Sequence, residues 1–364
     1  MNEQLIRYGA SDYYFKQAAL YPDLCLARVT AQYKDLYRIA TDAGEGLAEL
    51  SGKLRYDLTE AGNLSAWPAV GDFVMAAAAG GETRIIHRIL PRQSVFERAA
   101  LSGEGQAQVV AANIDKVFIC MALNNDYNLS RLERYLSVAW NSGAAPVVVL
   151  TKADLLEDFS GRLAEVQAAA PGVDVVVCSS QDRESCLKLL EHLGPGETAS
   201  FIGSSGVGKS TLINNLAGAA LFDTAETRRD DKGRHTTTRR ELLVLPPGGV
   251  VIDTPGMREL GADSVDLARS FADIDALAAK CRFRDCGHTT EPGCAVRQAL
   301  ETGGLSQRRL DSYRKLKREA RYDGLSAKAL EREKLEGMLA GVGGMKNFKK
   351  FIRENDKRKR RPNA

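Results

Sequence analysis

The rhythm of apolar and polar positions changes twice along the chain. From about residue 22 to 92, short apolar runs at 24–30 (LCLARVT), 34–41 (KDLYRIAT), 70–77 (VGDFVMAA) and 84–90 (RIIHRIL) are separated by turns holding Gly, Asp and Asn, with no helical period. Several short strands with regular turns predict a small barrel or sandwich. From about 113 to 262 apolar strands at 115–123, 146–152, 173–179, 199–204 and 249–256 alternate with stretches of helical spacing at 129–143, 161–170, 182–194 and 208–218. That alternation predicts a mostly parallel sheet covered by helices on both faces. Beyond about 265 the sequence turns helical and charged. The expected architecture is therefore multidomain: a β-barrel over 1–95, an α/β domain over 96–262 and an α-helical domain over 263–364. The order of the first twenty residues stays open.

Composition adds little against this plan. A chain of 364 residues with 44% hydrophobic content has ample material for two or three cores. The longest apolar-looking stretch, 66–79, is broken by Pro68, Gly71 and Asp72, and the first twenty residues lack the pattern of a secretory signal. A cytoplasmic protein without a membrane partner is expected. Net charge is only +3, but residues 346–364 (KNFKKFIRENDKRKRRPNA) are strongly basic. Such a run is either a solvated tail or an electrostatic arm for nucleic acid. Of seven cysteines, Cys25, Cys120, Cys178 and Cys186 are scattered in apolar or helical surroundings and read as buried thiols.

Chemistry enters at residues 203–210, GSSGVGKS, which fit G-x-x-x-x-G-K-[ST] between a predicted strand and a predicted helix. Through Gly203, Ser204, Ser205, Gly206, Val207 and Gly208 the backbone can curl so that successive N–H groups face phosphate oxygens. The helix start through Thr211 adds its positive dipole end. Lys209 would neutralise the β and γ phosphates, and Ser210 would hold Mg²⁺. Further on, VVIDTPGM supplies Asp253 as a carboxylate near the metal and Gly256 as a backbone sensor of the γ-phosphate. In the threonine-rich stretch between them, Thr237 or Thr238 would complete the Mg²⁺ shell.

Upstream lies a base-reading loop, TKAD, formed by Thr151, Lys152, Ala153 and Asp154. Asp154 can accept hydrogen bonds from guanine N1–H and the 2-amino group, which adenine cannot offer, while the Lys152 stem lies over the base. Thr151 stands as a shorter substitute for the usual Asn. Ser179 and Ser180, at the end of a further strand, are placed to present a backbone N–H to guanine O6. All five parts of a GTPase are thus present, but the base loops precede the phosphate loop. Cutting a doubly wound domain at one surface loop and joining its old termini leaves the sheet intact, so the order reads as a circular permutation. The second switch then leads straight into the C-terminal domain, and loss of γ-phosphate is expected to be transmitted there.

After DTPG, where many GTPases place a water-orienting Gln, this chain has Met257, so intrinsic hydrolysis should be slow. His235 is a candidate for orienting water, or is merely exposed. In CRFRDCGHTTEPGC, Cys281, Cys286, His288 and Cys294 fall within one short loop. Three thiolates and an imidazole suit one tetrahedral Zn²⁺ per chain with no open position, hence a structural site.

TKAD, GSSGVGKST, GRHTTT, DTPG and the cysteine loop, with NLSRLERYL and QVVAANID and a small β domain ahead of them, closely resemble the RsgA family of bacterial GTPases that depend on the small ribosomal subunit. The resemblance covers nearly the whole chain beyond about residue 20. It implies an N-terminal OB-fold, a permuted GTPase domain and a zinc-binding helical domain. It also implies a monomer that binds GTP and GDP, associates with the 30S subunit and its 16S rRNA late in maturation, and hydrolyses GTP when the subunit stimulates it. The family's proposed catalytic histidine matches His235. An OB-type barrel and the basic tail agree with an RNA partner, whereas Trp67 and Phe73 in the barrel are assigned to the core.

Two rival readings remain open, a GTPase switch acting on a protein partner and an RNA-binding assembly module with a vestigial nucleotide site. No lipidation signal or membrane segment supports the first. The intact Lys209, Ser210, Asp253 and Asp154 speak against the second. No second catalytic constellation is visible for an RNA-modifying enzyme.

Overall fold

Two short helices, α1 (Glu3–Arg7) and α2 (Asp12–Ala18), lead into five strands, β1 (Cys25–Gln32), β2 (Tyr37–Thr41), β3 (Gly44–Leu50), β4 (Phe73–Ala78) and β5 (Thr83–Ile89). The computed structural model describes residues 2–78, 83–98, 108–221, 241–246, 248–253 and 270–322. His235, Thr237, Thr238, Gly256, Met257 and the basic tail lie outside them. The strands follow the order β1-β2-β3-β5-β4 and close through a β1–β4 pairing, with β3 and β5 parallel and the other pairs antiparallel. A closed five-stranded barrel in this order is the OB arrangement. Helix α3 (Gly52–Glu60) joins β3 to β4, its first turn capped by the Ser51 hydroxyl, which accepts from Leu54 N–H at 3.1 Å.

Alternate residues Ala27, Val29, Ile39, Ala48, Leu50, Val74, Ala76 and Ile86 fill the barrel. Their neighbours Leu26, Phe73 and Met75 point outward and are covered by Leu5 and Tyr14 of the N-terminal helices, the Tyr14 and Phe73 rings stacking at 3.8 Å. Covering both faces explains why these strands read as apolar runs rather than clean alternation. It also places Phe73 in the core. Arg28, 1% exposed, pins the barrel to neighbouring segments on either side of it. Its guanidinium donates to the carbonyls of Tyr8, Gly71 (3.3 Å) and Asn113 (3.0 Å) and lies over the Phe73 ring. Burial lowers its pKa to about 10, so it stays charged at neutral pH.

The antiparallel pair β6 (Val95–Arg98) and β7 (Gln108–Ala112) bridges the barrel to the α/β domain, sending Phe96 and Val110 into the larger core. The elements then run β8 (Lys116–Ala122), α4 (Leu129–Asn141), β9 (Ala145–Thr151), α5 (Ser160–Ala169), β10 (Asp174–Val177), α6 (Arg183–Leu187), β11 (Thr198–Ile202), α7 (Lys209–Ala217), β12 (Glu241–Val244) and β13 (Val250–Asp253). The spatial order is β10-β9-β8-β11-β13-β12, parallel except for β12. Leu132 and Leu136 of α4 and Val166 of α5 cover one face, whereas Cys186 of α6 and Leu212 and Leu216 of α7 cover the other. Among the described residues a single bridge, Ala31 with Glu241, joins β12 of this sheet to barrel strand β1.

The last described part is small: α8 (Ala272–Ala278), α9 (Ala295–Glu301) and α10 (Gln307–Tyr322) around Phe271, Ile274, Val296, Leu305, Leu310, Tyr313 and Leu316. A core of this size is marginal alone and gains from an added staple. Among the described residues, no helix is long and apolar enough to cross a membrane.

Candidate nucleotide site and cysteine cluster

Parallel strands end on one edge of the sheet, and the loops leaving β8, β9, β10 and β11 gather there beside the end of β13 at Asp253. Open α/β sheets place their ligands at this carboxyl edge. The phosphate-type loop follows β11, between β13 with Asp253 at its end and β8. Gly203 is forced by close approach, since a Cβ there would stand 2.5 Å from the Cys120 carbonyl at a φ of +148°. Val207 is buried in the core, whereas Ser205 and Gly206 form the exposed crown of the loop. Lys209 reaches back across the loop, its ammonium donating to the carbonyls of Gly203 (2.6 Å) and Ser204 (2.7 Å). Helix α7 starts behind Gly208, which provides no side-chain cap, so its first-turn N–H groups suit an anion. Ser210 and Thr211 lie half-buried in that turn.

The base-type loop is tied directly to the phosphate-type loop. Thr151, 3% exposed at the end of β9, donates its hydroxyl to the Val207 carbonyl at 2.7 Å. The shorter side chain at the usual Asn position thus supplies a hydrogen bond between the two loops. Lys152 adopts a left-handed backbone conformation (φ +57°) that turns the chain into the Ala153 and Asp154 corner. The Ala153 N–H donates to the Cys178 carbonyl at 3.3 Å, drawing in the loop after β10.

Ser179 is held by contacts within the protein. Its backbone N–H is occupied by the Ser185 hydroxyl at 3.0 Å, and its own hydroxyl donates to the exposed Asp154 carboxylate, holding that carboxylate in place. Ser180 remains exposed at the tip.

Asp126, in the loop after β8, was missed by sequence reasoning. Its carboxylate accepts from the Ser204 hydroxyl and pairs with Arg131 at 2.8 Å. Burial works against its ionisation. Hydrogen bonds from Ser204 and Arg131, the Arg131 charge and nearby Lys152 outweigh that and hold the carboxyl below its usual range. Its position past a strand end at the same sheet edge was the available signal.

Cys281, Cys286, His288 and Cys294 bring one ligand atom each to within 4.8 Å of one another. The Cys281 and Cys294 sulfurs lie 3.8 Å apart, and His288 Nδ1 stands 3.6 and 3.5 Å from them. Two sulfurs on one tetrahedral Zn²⁺ at about 2.3 Å would be separated by about 3.8 Å, so the donor set fits that ion. Burial, followed by the charges of Lys317 and Arg314, lowers the His288 pKa and favours the neutral imidazole a metal needs. The Glu291 carboxylate accepts from the N–H groups of Gly287, Thr289 and Thr290 at 2.7–2.9 Å, shaping the loop between the ligands.

Comparison with known proteins gives this geometry a family. The RsgA GTPase family model matches residues 89–263. The small ribosomal subunit biogenesis GTPase RsgA 2 of Lactiplantibacillus plantarum is 47% identical over 350 residues, covering 96% of this chain and 98% of that protein. The chain belongs to the RsgA GTPase family. A further RsgA protein, from Opitutus terrae, is 45% identical over 81% of this chain and 83% of its own length. Among solved structures, YjeQ from Thermotoga maritima matches 82% of this RsgA-family chain and 98% of its own, with a TM-score of 0.61 at 25% identity. YloQ, described as a circularly permuted GTPase, matches 82% and 95% with a TM-score of 0.58 at 24% identity, a likeness of fold.

Proposed function

We propose that this chain is a GTP hydrolase that binds the small ribosomal subunit late in its assembly in the bacterial cytoplasm and is stimulated by it. The observation that carries this reading is the Thr151 to Val207 hydrogen bond, which locks a guanine-type loop to a phosphate-type loop in a chain 47% identical to a small ribosomal subunit biogenesis GTPase. Asp154, steadied by Ser179, reads the guanine N1–H and 2-amino groups, and exposed Ser180 offers its N–H to O6. The backbone of 203–208, with Lys209 and the α7 N-terminus, cradles the phosphates. Ser210, Asp253 and Thr237 hold Mg²⁺, which neutralises charge on the β and γ phosphates when bound. His235 orients the attacking water. Cys281, Cys286, His288 and Cys294 hold one structural Zn²⁺.

The barrel and the basic tail supply the contact with 16S rRNA, and the protein acts as a monomer. In support, α3 exposes Tyr56 (65%) one and three residues after the exposed cations Arg55 and Lys53. Exposed aromatic rings near cations are groups that single-stranded nucleic acid favours. The decisive assay is steady-state GTP hydrolysis with and without 30S subunits. Stimulation that disappears in Lys209→Ala is the expected result. Tight GTP binding without stimulation would instead favour a GTPase acting on a protein partner.

A further inference from the structure

A second route, separate from the backbone between Asp253 and Ser270, joins the phosphate loop to the cysteine-bearing helices. It runs along α4. At the start of this helix Asp126 holds the Ser204 hydroxyl, and Arg131 clasps Asp126 through both its carboxylate, at 2.8 Å, and its carbonyl. Two residues on, Glu133 is 1% exposed and faces the C-terminal helices. It takes both terminal nitrogens of Arg308, each at 3.3 Å, and one of Arg309 at 3.1 Å. Arg309 turns its other edge to Asp273, at 2.6 and 2.7 Å, and to the Ser270 carbonyl at 3.0 Å, with its guanidinium over the Phe271 ring. One turn further along α4, the Ser137 hydroxyl meets that of Ser270.

Two carboxylates and two guanidinium groups balance, and the central pair is buried. Such a cluster is a poor source of net stability, because desolvation offsets most of the attraction. It behaves in nearly all-or-none fashion, since partial separation strands Glu133 without a partner in a dry contact. We propose that Glu133, Arg309 and Asp273 form an electrostatic latch through which docking of the C-terminal helices on α4 is linked to whether the phosphate loop holds a diphosphate or the more highly charged triphosphate. The linkage rests on the reading that residues 203–210 hold the phosphates. A polyanion in that loop changes the field at Asp126 and the Ser204 contact, and Arg131 carries the change to the first turn of α4. By thermodynamic reciprocity, releasing the latch changes nucleotide affinity as docking changes with nucleotide.

The test measures GDP and non-hydrolysable GTP-analogue affinities of the full chain, together with hydrogen exchange of residues 272–278 and 307–316. Glu133→Gln keeps the volume and an acceptor while removing the charge. It should change the ratio of the two affinities by about fivefold or more, the lower end of typical coupling. The wild type should show exchange in those helices that differs between the two nucleotides, and Glu133→Gln and Asp126→Asn should abolish the difference. Should Glu133→Gln fail to fold, Arg308→Ala removes one of its partners from a 40% exposed position and should give a smaller change in the same direction. Affinities within twofold of wild type, with exchange indifferent to nucleotide in the wild type, would reduce the cluster to a structural contact and overturn the latch. Unaltered nucleotide binding by Lys209→Ala would instead overturn the phosphate-loop reading on which the latch rests.

Discussion

Replacing Thr151 with valine removes one hydroxyl and little else, since the two side chains share a shape. In the native protein that hydroxyl donates to the Val207 carbonyl at 2.7 Å, with both residues almost fully buried. The substitution would leave the carbonyl without its side-chain donor in a site water does not readily reach. A buried acceptor stranded in this way costs about 1–3 kcal/mol. If the phosphate loop stays where it is, the full cost falls on folding. If instead the loop relaxes to find another donor, nucleotide must rebuild its geometry, and GDP affinity falls by roughly five- to 150-fold for the same energy. Fluorescent-GDP titration and thermal unfolding on one preparation therefore have to be read together, with the two losses summing to that range. Thr151→Ser retains the hydroxyl, and Thr151→Asn restores the residue common at this position with an N–H donor; both should bind GDP close to wild type. A Thr151→Val protein that binds GDP within twofold of wild type and unfolds at the same temperature would refute the argument that this bond couples the loops.

Other contacts lead to further expected outcomes. Lys209→Ala removes an ammonium whose charged hydrogen bonds to phosphate are worth about 1.5–3 kcal/mol each, so GTP affinity measured by the same titration should fall by two orders of magnitude or more. Asp154→Asn should weaken GTP binding and improve xanthosine triphosphate binding, seen as a reversed order in competition. Cys294→Ser should lose zinc, measured by atomic absorption, and also lose cooperative melting of the C-terminal helices, because Cys294 is at once a cluster member and the cap of α9, accepting from Arg297 N–H at 3.5 Å. Asp273 is partly desolvated, which opposes ionisation, but the hydrogen bonds and charge of Arg309 outweigh this and lower its pKa beneath the ordinary 3.8. Its ion pair therefore contributes fully above that value and is lost as pH falls from 3.8 through the lower folded value. A carboxyl titration by NMR should place the midpoint below 3.8, and a midpoint at or above it would contradict the pairing.

The sequence carried the sheet edge and its loops well because motif spacing there is local. GSSGVGKS, TKAD and the end of β13 each bring their own geometry, and period-two and helical patterns located the strands between them. Contacts between distant parts were not legible. Thr151 could be read as a stand-in for Asn, yet its bond spans 56 positions to a backbone carbonyl, which no side-chain pattern reports. Asp126 belongs to no motif, and only the juxtaposition of β8 with β11 brings it to Ser204. The hydrogen bond from the Ser179 N–H to the Ser185 hydroxyl could not be read from the motif either, because Ser185 comes from the next helix. Arg28 escaped notice altogether, since a buried arginine facing carbonyls from three segments looks in sequence like any strand cation.

The bridge between Ala31 and Glu241 bears on how the molecule tolerates being cut apart. Strand β12 ends the α/β sheet, and its outer edge would otherwise offer bare N–H and C=O groups to any passing strand. Natural sheets blunt such edges because they seed unwanted pairing between molecules. Here the barrel pairs with that edge at Glu241, so the OB unit shields the described start of it. A fragment beginning after the barrel would keep every nucleotide loop and still be at risk of joining edge to edge with its own copies.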